Sequence, residues 1–387
     1  MVTKNPAVNP IKGLVSVVMP CWNDGQHVKY CLKAIKKQTY KNLEVLMVDN
    51  ASSDDSLEKI RSWGEGLNIN LISNPKNLGF AKAVNQGIRA SKGEFILALN
   101  LDVVMTPDYI EKLVSAFNDE EVGSACGKLY RFPEDFEGRK VLDSTGHILL
   151  ASRSAVNRGE LEDDTGQYDS QKDVFGVSAA AAMYRREMLE DIKVLGEYFD
   201  EDFFALYEDV DLDWRAFGRG WKSKFVPDAI AYHKRRAWNW MYFKVLSNSK
   251  RNKFLTALKN DSLVNYLIDL PIIFGYELDN ILYRHFKDYR LFFLTYLKML
   301  LATPKALVKR LLIVTRRKVS RLEMREQLQY EKADRQKAKD ILTAVFVLVV
   351  LSFFIHIKYL LLLIFAVFFM INPAVYFLRR KWDEDID

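Results

Sequence analysis

The N-terminal quarter of the chain alternates between short apolar runs and segments whose apolar residues recur at helical spacing. The apolar runs are rich in β-branched residues, and they occupy residues 14–19, 43–48, 69–72 and 94–99. The segments with helical spacing are 27–38, 56–63 and 80–90. Each apolar run is short and bounded by turn residues, which predicts a buried strand, and the alternation predicts an α/β layer around a parallel sheet.

Polar or turn residues stand at the ends of three of these runs, at Pro20, Asp49 and Asp102. Ligands of open α/β sheets bind beyond the carboxyl ends of the strands, so we expect a nucleotide cleft at this edge. Asp49 would accept hydrogen bonds from a base or a ribose there. The stretch after it, Asp-Asn-Ala-Ser-Ser-Asp, is equally typical of an Asx turn that leads into a helix N-cap.

Two acidic groups carry the chemistry that the sequence predicts. Asn100-Leu101-Asp102 follows a buried strand, and one carboxylate there can help to hold a divalent ion that bridges two phosphates. Because Asn100 replaces the first carboxylate of a DxD motif, the ion would depend on phosphates, water and a distant ligand. The second group is Glu208, Asp209, Asp211 and Asp213, which crowd negative charge into one apolar stretch. A solvated, acid-rich helix N-terminus is the alternative.

The middle of the chain is less regular. Residues 120–180 are interpreted as strands and loops across the sheet edge, Val177 to Leu189 as a small-residue entry into a helix, and Lys224 to Tyr232 as an interrupted strand. Beyond Trp238 the sequence becomes aromatic, basic and helical. The charged segment Arg316 to Asp340 predicts a helix exposed to solvent or to a lipid surface.

Charge is distributed unevenly along the chain, whose formal net charge is +6. Residues 234–340 contain 24 Lys and Arg against 10 Asp and Glu, a net charge of +14. Nucleic acid is one partner for such a segment, but long apolar stretches interrupt the basic residues. That mixture favours an anionic membrane surface and predicts that no nucleic acid is bound.

Residues 341–371 are almost continuously apolar, interrupted only by His356 and Lys358. They exceed the ~20 residues that span a bilayer. A single tilted span, a helical hairpin and a re-entrant element remain open, because basic residues flank both ends and favour a cytoplasmic position for each. A buried soluble helix is the further alternative.

The N-terminal segment, Met1 to Gly13, has no apolar run of signal-peptide length. The three cysteines are far apart and odd in number, which fits a reducing compartment. We therefore expect a membrane protein whose catalytic part faces the cytoplasm. The predicted divisions are 1–13 as an N-terminal extension, 14–235 as the catalytic domain, 236–340 as membrane-surface helices, 341–378 as the membrane segment and 379–387 as a polar tail.

The order of five motifs, with a later histidine, resembles the family 2 inverting glycosyltransferases of the GT-A fold. Within that family it resembles the branch that contains rhamnosyltransferases of cell-surface polysaccharide assembly. The motifs are PCWND, VDNASSD, NLGFAKAVNQG, NLD and FDEDFFALYEDVDLDWR. The resemblance covers about residues 14 to 260 and implies an α/β fold of Rossmann-like mixed sheet, followed here by the C-terminal helices.

The resemblance also implies roles for individual residues. The donor site would be lined by Pro20, Trp22, Asp49, Asn77, Asn85, Asn100 and Asp102. The divalent cation, Mn²⁺ or Mg²⁺, would be held by Asp102 and His233. The catalytic pair would be Glu208 and Asp209, with Asp209 as the base. Weaker candidates for acceptor or diphosphate contacts are Arg215, Arg235 and Arg236. For His233 an ordinary interface histidine is the alternative.

The expected activity is the transfer of a sugar, with inversion, from a nucleotide-diphosphate donor to a lipid-linked glycan or polysaccharide. Rhamnose or another deoxyhexose is the sugar that the resemblance favours. A polyprenyl-phosphate sugar synthase is the nearest alternative, and a non-catalytic membrane scaffold is a remoter one. A nucleotidyltransferase is disfavoured because PCWNDGQ offers no Gly-rich phosphate loop with a basic residue.

Overall fold

The computed structural model describes residues 9–235, 242–280 and 289–354 of the 387-residue chain. The strands are β1 Ile11–Cys21, β2 Leu43–Asp49, β3 Ile69–Ser73, β4 Gly93–Leu99, β5 Val103–Met105, β6 Val122–Arg131, β7 Leu142–Ser144, β8 His147–Leu150, β9 Ala155–Asn157, β10 Asp173–Val174, β11 Ala181–Arg185, β12 Lys222–His233 and β13 Leu328–Gln329. The α-helices are α1 Gly25–Lys36, α2 Ser56–Trp63, α3 Phe80–Ala90, α4 Tyr109–Ser115, α5 Arg186–Ile192, α6 Glu208–Gly218, α7 Tyr242–Asn260, α8 Leu263–Ile268, α9 Leu270–Asn280, α10 Tyr289–Val314, α11 Arg321–Glu326 and α12 Lys332–Phe354. Two 3₁₀-helices lie at Ala116–Asn118 and Pro133–Phe136.

The predicted parallel sheet is confirmed. Strands β3, β2, β1 and β4 lie side by side in that order and are all parallel. Helices α1, α2 and α3 connect them, as parallel pairing requires a crossover. Side chains on both faces of the central strands are buried, including Val17, Val18, Leu46 and Met47. This explains why each strand is a continuous apolar run in the sequence.

The second half of the sheet is mixed, and its strands are buried where the sequence analysis predicted strands and loops across the sheet edge. Strand β11 is antiparallel to both β4 and β6, and β12 is parallel to β6. The prediction of a helix entry over Val177 to Leu189 is therefore wrong at its start, because Ala181–Arg185 is an interior strand and the helix begins at Arg186. All five residues of β11 are buried, so its sequence shows no alternation that would identify a strand.

A small second sheet brings a late part of the chain back to the α/β part. It has three strands in the order β13-β8-β9, and Leu328 of β13 pairs with Leu149 of β8. The prediction of one exposed helix over Arg316 to Asp340 is wrong, because Met324 and Leu328 are buried against Trp214. Because charged residues surround Met324 and Leu328 in the sequence, no apolar pattern indicated that they are buried.

The helices after β12 pack against the α/β part through buried ion pairs. Lys259 of α7 contacts Asp200 and lies 2.8 Å from Asp211, and Lys309 of α10 contacts Asp200 at 2.5 Å. Arg153, before β9, pairs with Asp261 at 2.7 Å. Buried charges of this kind are stable only when paired, so these contacts bind the helices firmly to the rest of the molecule.

The helical region also exposes much apolar surface. Helix α10 leaves one long face open to solvent, formed by Phe293, Leu294, Leu297, Leu300, Leu301, Leu307, Val308, Leu311 and Leu312. Within the described ranges, no helix is both long enough and apolar enough to cross a membrane. Helix α12 extends into the apolar segment as far as Phe354. The rest of the predicted membrane segment and the polar tail lie outside the described residues.

Candidate active site

The loops that follow β1 and β2 are joined by hydrogen bonds at the predicted cleft edge. The amide of Asn50 donates to the carbonyl of Cys21 (2.8 Å), and the amide of Ser53 donates to the side chain of Asn23 (2.7 Å). Asp49 is buried and accepts a hydrogen bond from the amide of Ser52 (3.2 Å). The two loops thus form one rigid wall at the topological switch point between β1 and β4.

Pro20 and Trp22 lie at this wall, Pro20 within β1 and Trp22 directly after it, and both are half-buried. Asn77, in the loop before α3, accepts a hydrogen bond from the amide of Gly79 (2.9 Å). Gly79 has φ +87°, and a Cβ there would come within 2.5 Å of the Phe204 carbonyl oxygen. Only glycine lets this loop pack against the segment that precedes α6.

Asn85 does not face the cleft, which corrects its prediction as a donor contact. Its side chain is fully buried, donates to the carbonyl of Phe199 (2.7 Å) and accepts from the amide of Phe199 (2.9 Å). A further hydrogen bond reaches Glu201 (3.1 Å). Asn85 therefore holds the segment before α6 against α3.

Arg215 is likewise a structural residue, which corrects its prediction as a substrate contact. It is buried, pairs with Asp211 (3.0 Å) and donates to the carbonyls of Ile192 (2.8 Å) and Tyr198 (2.6 Å). Each of its three guanidinium nitrogens donates to a protein group, and the residue is only 4% exposed, so it is not placed to contact a diphosphate. Arg236 lies outside the described residues.

Asp102 and His233 come together at the cleft although 131 positions separate them in the sequence. Nε2 of His233 lies 3.4 Å from the Asp102 carboxylate, and Nδ1 is hydrogen-bonded to Asp143 at 2.8 Å. Strand β5, which follows Asp102, pairs with the end of β12, where His233 lies. Burial lowers the pKa of His233, but hydrogen bonds to Asp102 and Asp143 outweigh it and raise the pKa to about 9.

This arrangement suits a divalent ion held by few protein groups. A carboxylate oxygen and an imidazole nitrogen are a common donor pair, and a carboxylate behind the imidazole is the usual support for a metal-binding histidine. Across the described ranges, no group of three or more His, Cys, Asp or Glu side chains is placed to hold a metal. Two protein ligands leave the remaining positions to diphosphate oxygens and water.

Arg131 and Arg235 surround Asp143, the supporting carboxylate. Their Nε atoms lie 2.6 Å and 2.7 Å from Asp143, and both guanidinium groups also reach Glu160. Burial raises the pKa of Asp143, but the hydrogen bond and charge of His233 and the two arginines lower it. Arg235 keeps about a third of its side chain exposed, so it remains available to an anion at the cleft.

Glu208 and Asp209 form the first turn of α6, and the turn before them is strained. Leu206 and Tyr207 have φ values of +74° and +69°, which non-glycine residues rarely adopt. Glu208 is buried, and its Oε2 has no hydrogen-bond partner among the residues that the structure describes. Burial, and then the charge of Asp209, raise the pKa of Glu208 well above its ordinary range. Backbone strain of this kind is concentrated at functional sites.

A two-residue segment joins Asp209 to the NLD loop. The amide of Ala179 donates to the Asp209 carboxylate (3.2 Å), and the amide of Asn100 donates to the carbonyl of Ala180 (2.8 Å). Asp209, Asn100 and Asp102 are therefore parts of one site. The sequence predicted this grouping, and the structure supplies the segment that joins them.

Sequence reasoning missed two residues of this site, Asp143 and His147. His147 is buried beneath Asp209, with Nδ1 hydrogen-bonded to Asp213 at 2.8 Å and Nε2 3.8 Å from Asp209. Both residues lie in DSTGHILL, a stretch that the sequence analysis left among edge strands and loops. No spacing within it indicates contact with residues some 60 to 90 positions later, so only tertiary structure reveals them.

Comparison with known proteins shows which sequences this chain resembles. The sequence model of glycosyl transferase family 2 matches residues 16–193. Glycosyltransferase GlyG of Streptococcus pneumoniae is 30% identical over 144 residues, which are 37% of this chain and 48% of GlyG. An N-acetylglucosaminyltransferase of Mesorhizobium japonicum is 27% identical over 225 residues, or 56% and 50% of the two chains. The chain thus covers about half the length of each of these relatives.

The crystal structure of GalNAc-T7 with UDP, GalNAc and Mn²⁺ superposes with a TM-score of 0.50 at 14% identity, covering 65% of this chain and 48% of that one. At this identity the similarity concerns the fold alone. The fold is the GT-A-like α/β fold with a mixed sheet that the motif order implied.

Proposed function

Because residues 16–193 form a glycosyltransferase family 2 domain, we propose that this chain transfers a sugar from a nucleotide-diphosphate donor to an acceptor hydroxyl with inversion. The observation that carries the proposal is the single site formed by Asp209, Asn100 and Asp102 through Ala179 and Ala180. It places a carboxylate beside a loop suited to a metal-bound diphosphate. One base and one leaving group imply one displacement.

The donor lies in the cleft at the ends of β1, β2 and β4. Asp49 accepts hydrogen bonds from the nucleoside, and Pro20, Trp22 and Asn77 line the same wall. Asp102 and His233 would hold Mn²⁺ or Mg²⁺, which would supply positive charge beside the leaving diphosphate. Arg235 adds a cation near the same leaving group.

Asp209 acts as the general base. Its side chain is 17% exposed, so an acceptor hydroxyl can reach it. It takes the proton of that hydroxyl while the oxygen attacks the anomeric carbon. Burial and the charge of Asp209 raise the pKa of Glu208, which favours the neutral form of Glu208 beside the base.

The acceptor is a lipid-linked glycan or polysaccharide at a membrane surface. Two features support this part of the proposal: the exposed apolar face of α10 and the net charge of +14 over residues 234–340. Soluble monomers rarely expose so large an apolar patch, and basic residues around it favour anionic lipid. The apolar residues 341–371 would strengthen the attachment, with the catalytic part on the cytoplasmic side.

The sugar itself is the least determined part of the proposal. The motif order favours rhamnose or another deoxyhexose, and the name of the Mesorhizobium relative adds N-acetylglucosamine as a second candidate. A polyprenyl-phosphate sugar synthase is the remaining alternative, and it would use a phosphate in place of the acceptor hydroxyl.

A donor screen tests the function. Release of nucleoside diphosphate is followed by mass spectrometry across UDP-, GDP- and dTDP-sugars, with Mn²⁺, Mg²⁺ or a chelator. We expect one nucleotide-sugar class to be turned over only with metal. Asp209→Asn should lower transfer by ~10²–10⁴-fold, the usual contribution of a general base, and leave donor affinity within a few-fold.

Asp108→Asn is the matched control, because Asp108 is an exposed carboxylate that pairs with Lys112 on α4. It should retain wild-type turnover. Wild-type turnover by Asp209→Asn would refute the assignment of the base, and no turnover of any donor by the wild-type chain would refute the proposed function.

A further inference from the structure

His147 occupies a constrained position between two carboxylates of α6. It is 6% exposed, its Nδ1 is hydrogen-bonded to Asp213 (2.8 Å), and its Nε2 points toward Asp209 (3.8 Å). Asp209 and Asp213 lie one helical turn apart, so both side chains project from the same face of α6. The imidazole ring therefore bridges the proposed base and a buried carboxylate beneath it.

The contacts of Asp213 fix its carboxylate in a position that holds the His147 ring in one orientation. It is 1% exposed and also accepts a hydrogen bond from the amide of Val177 (3.1 Å). Gly176 packs so closely that a Cβ there would come within 2.0 Å of the Asp213 carboxylate. With its backbone amide bonded to Gly176 (2.8 Å), His147 is fixed at both ends and has little freedom to turn.

The charged groups around His147 come from three elements. Asp209 and Asp213 belong to α6, and Arg235 follows β12. Tyr184 lies on β11, where burial and then the charges of the same two carboxylates raise the pKa of its hydroxyl. Burial lowers the pKa of His147, but the charges of Asp209 and Asp213 outweigh it and raise the pKa. Burial raises the pKa of Asp213 to about 7, although the hydrogen bond from His147 acts in the opposite direction.

We propose that His147, held by Asp213, is a positioning residue that fixes the Asp209 carboxylate for attack by the acceptor. The proposal rests on the proposed function of Asp209 as base. The ring nitrogen Nε2 and the amide of Ala179 approach Oδ2 of Asp209, while Oδ1 accepts a hydrogen bond from the amide of Val210 (2.9 Å), so both carboxylate oxygens have fixed positions. The 3.8 Å separation exceeds a hydrogen bond, as catalytic contacts often do before substrate binds.

Two substitutions separate positioning from a purely structural role. The amide of His147→Asn reaches the place of Nδ1, so it keeps the hydrogen bond to Asp213 and loses the group that faces Asp209. The amide of His147→Gln reaches the place of Nε2 and keeps a group that faces Asp209. Positioning predicts that the glutamine variant is the more active, whereas a structural role through Asp213 predicts the reverse.

The experiment measures kcat and the donor KM of the full chain with the donor that the screen identifies. We expect His147→Gln to retain kcat within ~3-fold and His147→Asn to lose at least ~10-fold, with donor KM unchanged in both, because misplacing a catalytic group by about 1 Å can cost up to ~10²-fold. Equal kcat values in the two variants, or a higher kcat in the asparagine variant, would overturn the proposal.

Controls keep this result separate from folding and from the proposed function. Thr145→Val removes a buried hydrogen bond to Arg158 two residues from His147 and should lower stability without lowering kcat. If neither His147 variant folds, Asp213→Asn serves in their place, since it weakens the bond that orients the ring. An unchanged kcat in that variant would overturn the proposal. A fully active Asp209→Asn would show instead that the proposed function has failed.

Discussion

At the scale of single residues, buried ion pairs determine which side chains cannot be replaced without a loss of stability. Lys259 is 1% exposed and contacts both Asp200 and Asp211. Burial raises the pKa of Asp200, but Lys259 and Lys309 lower it far below 3.8. Asp211 lies two residues from the proposed base, so the same pairs that stabilise the fold also fix the helix that carries Asp209.

We predict that Lys259→Met destabilises the protein by about 3–5 kcal/mol, because removing one partner leaves a buried charge uncompensated. Urea unfolding of the full chain measures the change. Lys305→Met is the matched control, since Lys305 is half exposed and its pair with Asp202 contributes at most ~1 kcal/mol. Equal losses in the two variants would contradict the prediction.

The pH dependence of unfolding supplies a second measurement for the same variant. The folded-state pKa of Asp200 is below its ordinary value of 3.8. Its contribution to stability is therefore present above pH 3.8 and is lost as the pH falls through the folded-state value. As the pH falls below 3.8, the wild-type chain should lose stability more steeply than Lys259→Met.

The residues of the site differ in how far the sequence could reveal them. Asp102, Asp209 and His233 stand in short motifs whose order carries information, so they could be singled out, and the structure brings them to one cleft. Asn85 and Arg215 stand in similar motifs, yet both side chains are buried and hydrogen-bonded to other groups of the protein. A motif shows that a residue type matters at a position, but only the fold shows whether it faces substrate or backbone.

At the scale of elements, the strained turn before α6 is held by a helix that follows the catalytic domain. Asn252 of α7 is fully buried and donates to the carbonyls of Ala205 (3.0 Å) and Leu206 (2.7 Å). Arg251 beside it donates to the carbonyl of Asp202. Each strained residue costs ~1–3 kcal/mol, so the turn persists only because α7 stabilises it.

We predict that Asn252→Ala lowers kcat by ~10-fold and stability by about 1–3 kcal/mol, because two buried carbonyls lose their donor and the turn relaxes away from its strained geometry. Asn265→Ala is the matched control, since Asn265 is also fully buried and donates to a backbone carbonyl, that of Arg321. It should lose similar stability and retain kcat. A proportional loss of kcat in both variants would contradict a specific role for Asn252.

The elements were predictable where sequence periodicity is local. Strands β1 to β4 and helices α1 to α3 each carry their own pattern, and they were found within a few residues. Strands β6 and β11 lie inside a mixed sheet and are buried on both faces, so they show no alternation. Strand β13 is two residues long, and only its pairing with β8 defines it.

At the scale of the whole molecule, the helical region is both a support and a surface. Its buried lysines and Asn252 hold the catalytic part, and its outer face exposes leucines of α10. Sequence composition predicted a membrane-surface region here, whereas its contacts with the catalytic part could not be predicted, because they join residues far apart in the chain.

We predict that the full chain sediments with vesicles that contain anionic phospholipid, and that Leu300→Ser with Leu301→Ser lowers the bound fraction at least ~5-fold. Each leucine loses about 1.5–3 kcal/mol of burial in the lipid. The change should leave donor hydrolysis intact. Ile11→Ser with Leu195→Ser is the matched control, since both residues are exposed outside the helical region. Equal binding by all three proteins would contradict the proposed surface.

The pairing of β13 with β8 affects the order in which parts of the protein can fold during synthesis. The parallel strands β1 to β4 are complete once Leu99 has left the ribosome. The sheet that carries His147 closes only after Gln329, and the helix with Asn252 also comes late. A nascent chain can therefore form the parallel sheet long before the surroundings of Asp209, the proposed base, are complete, so the proposed activity would begin only after most of the polypeptide has emerged.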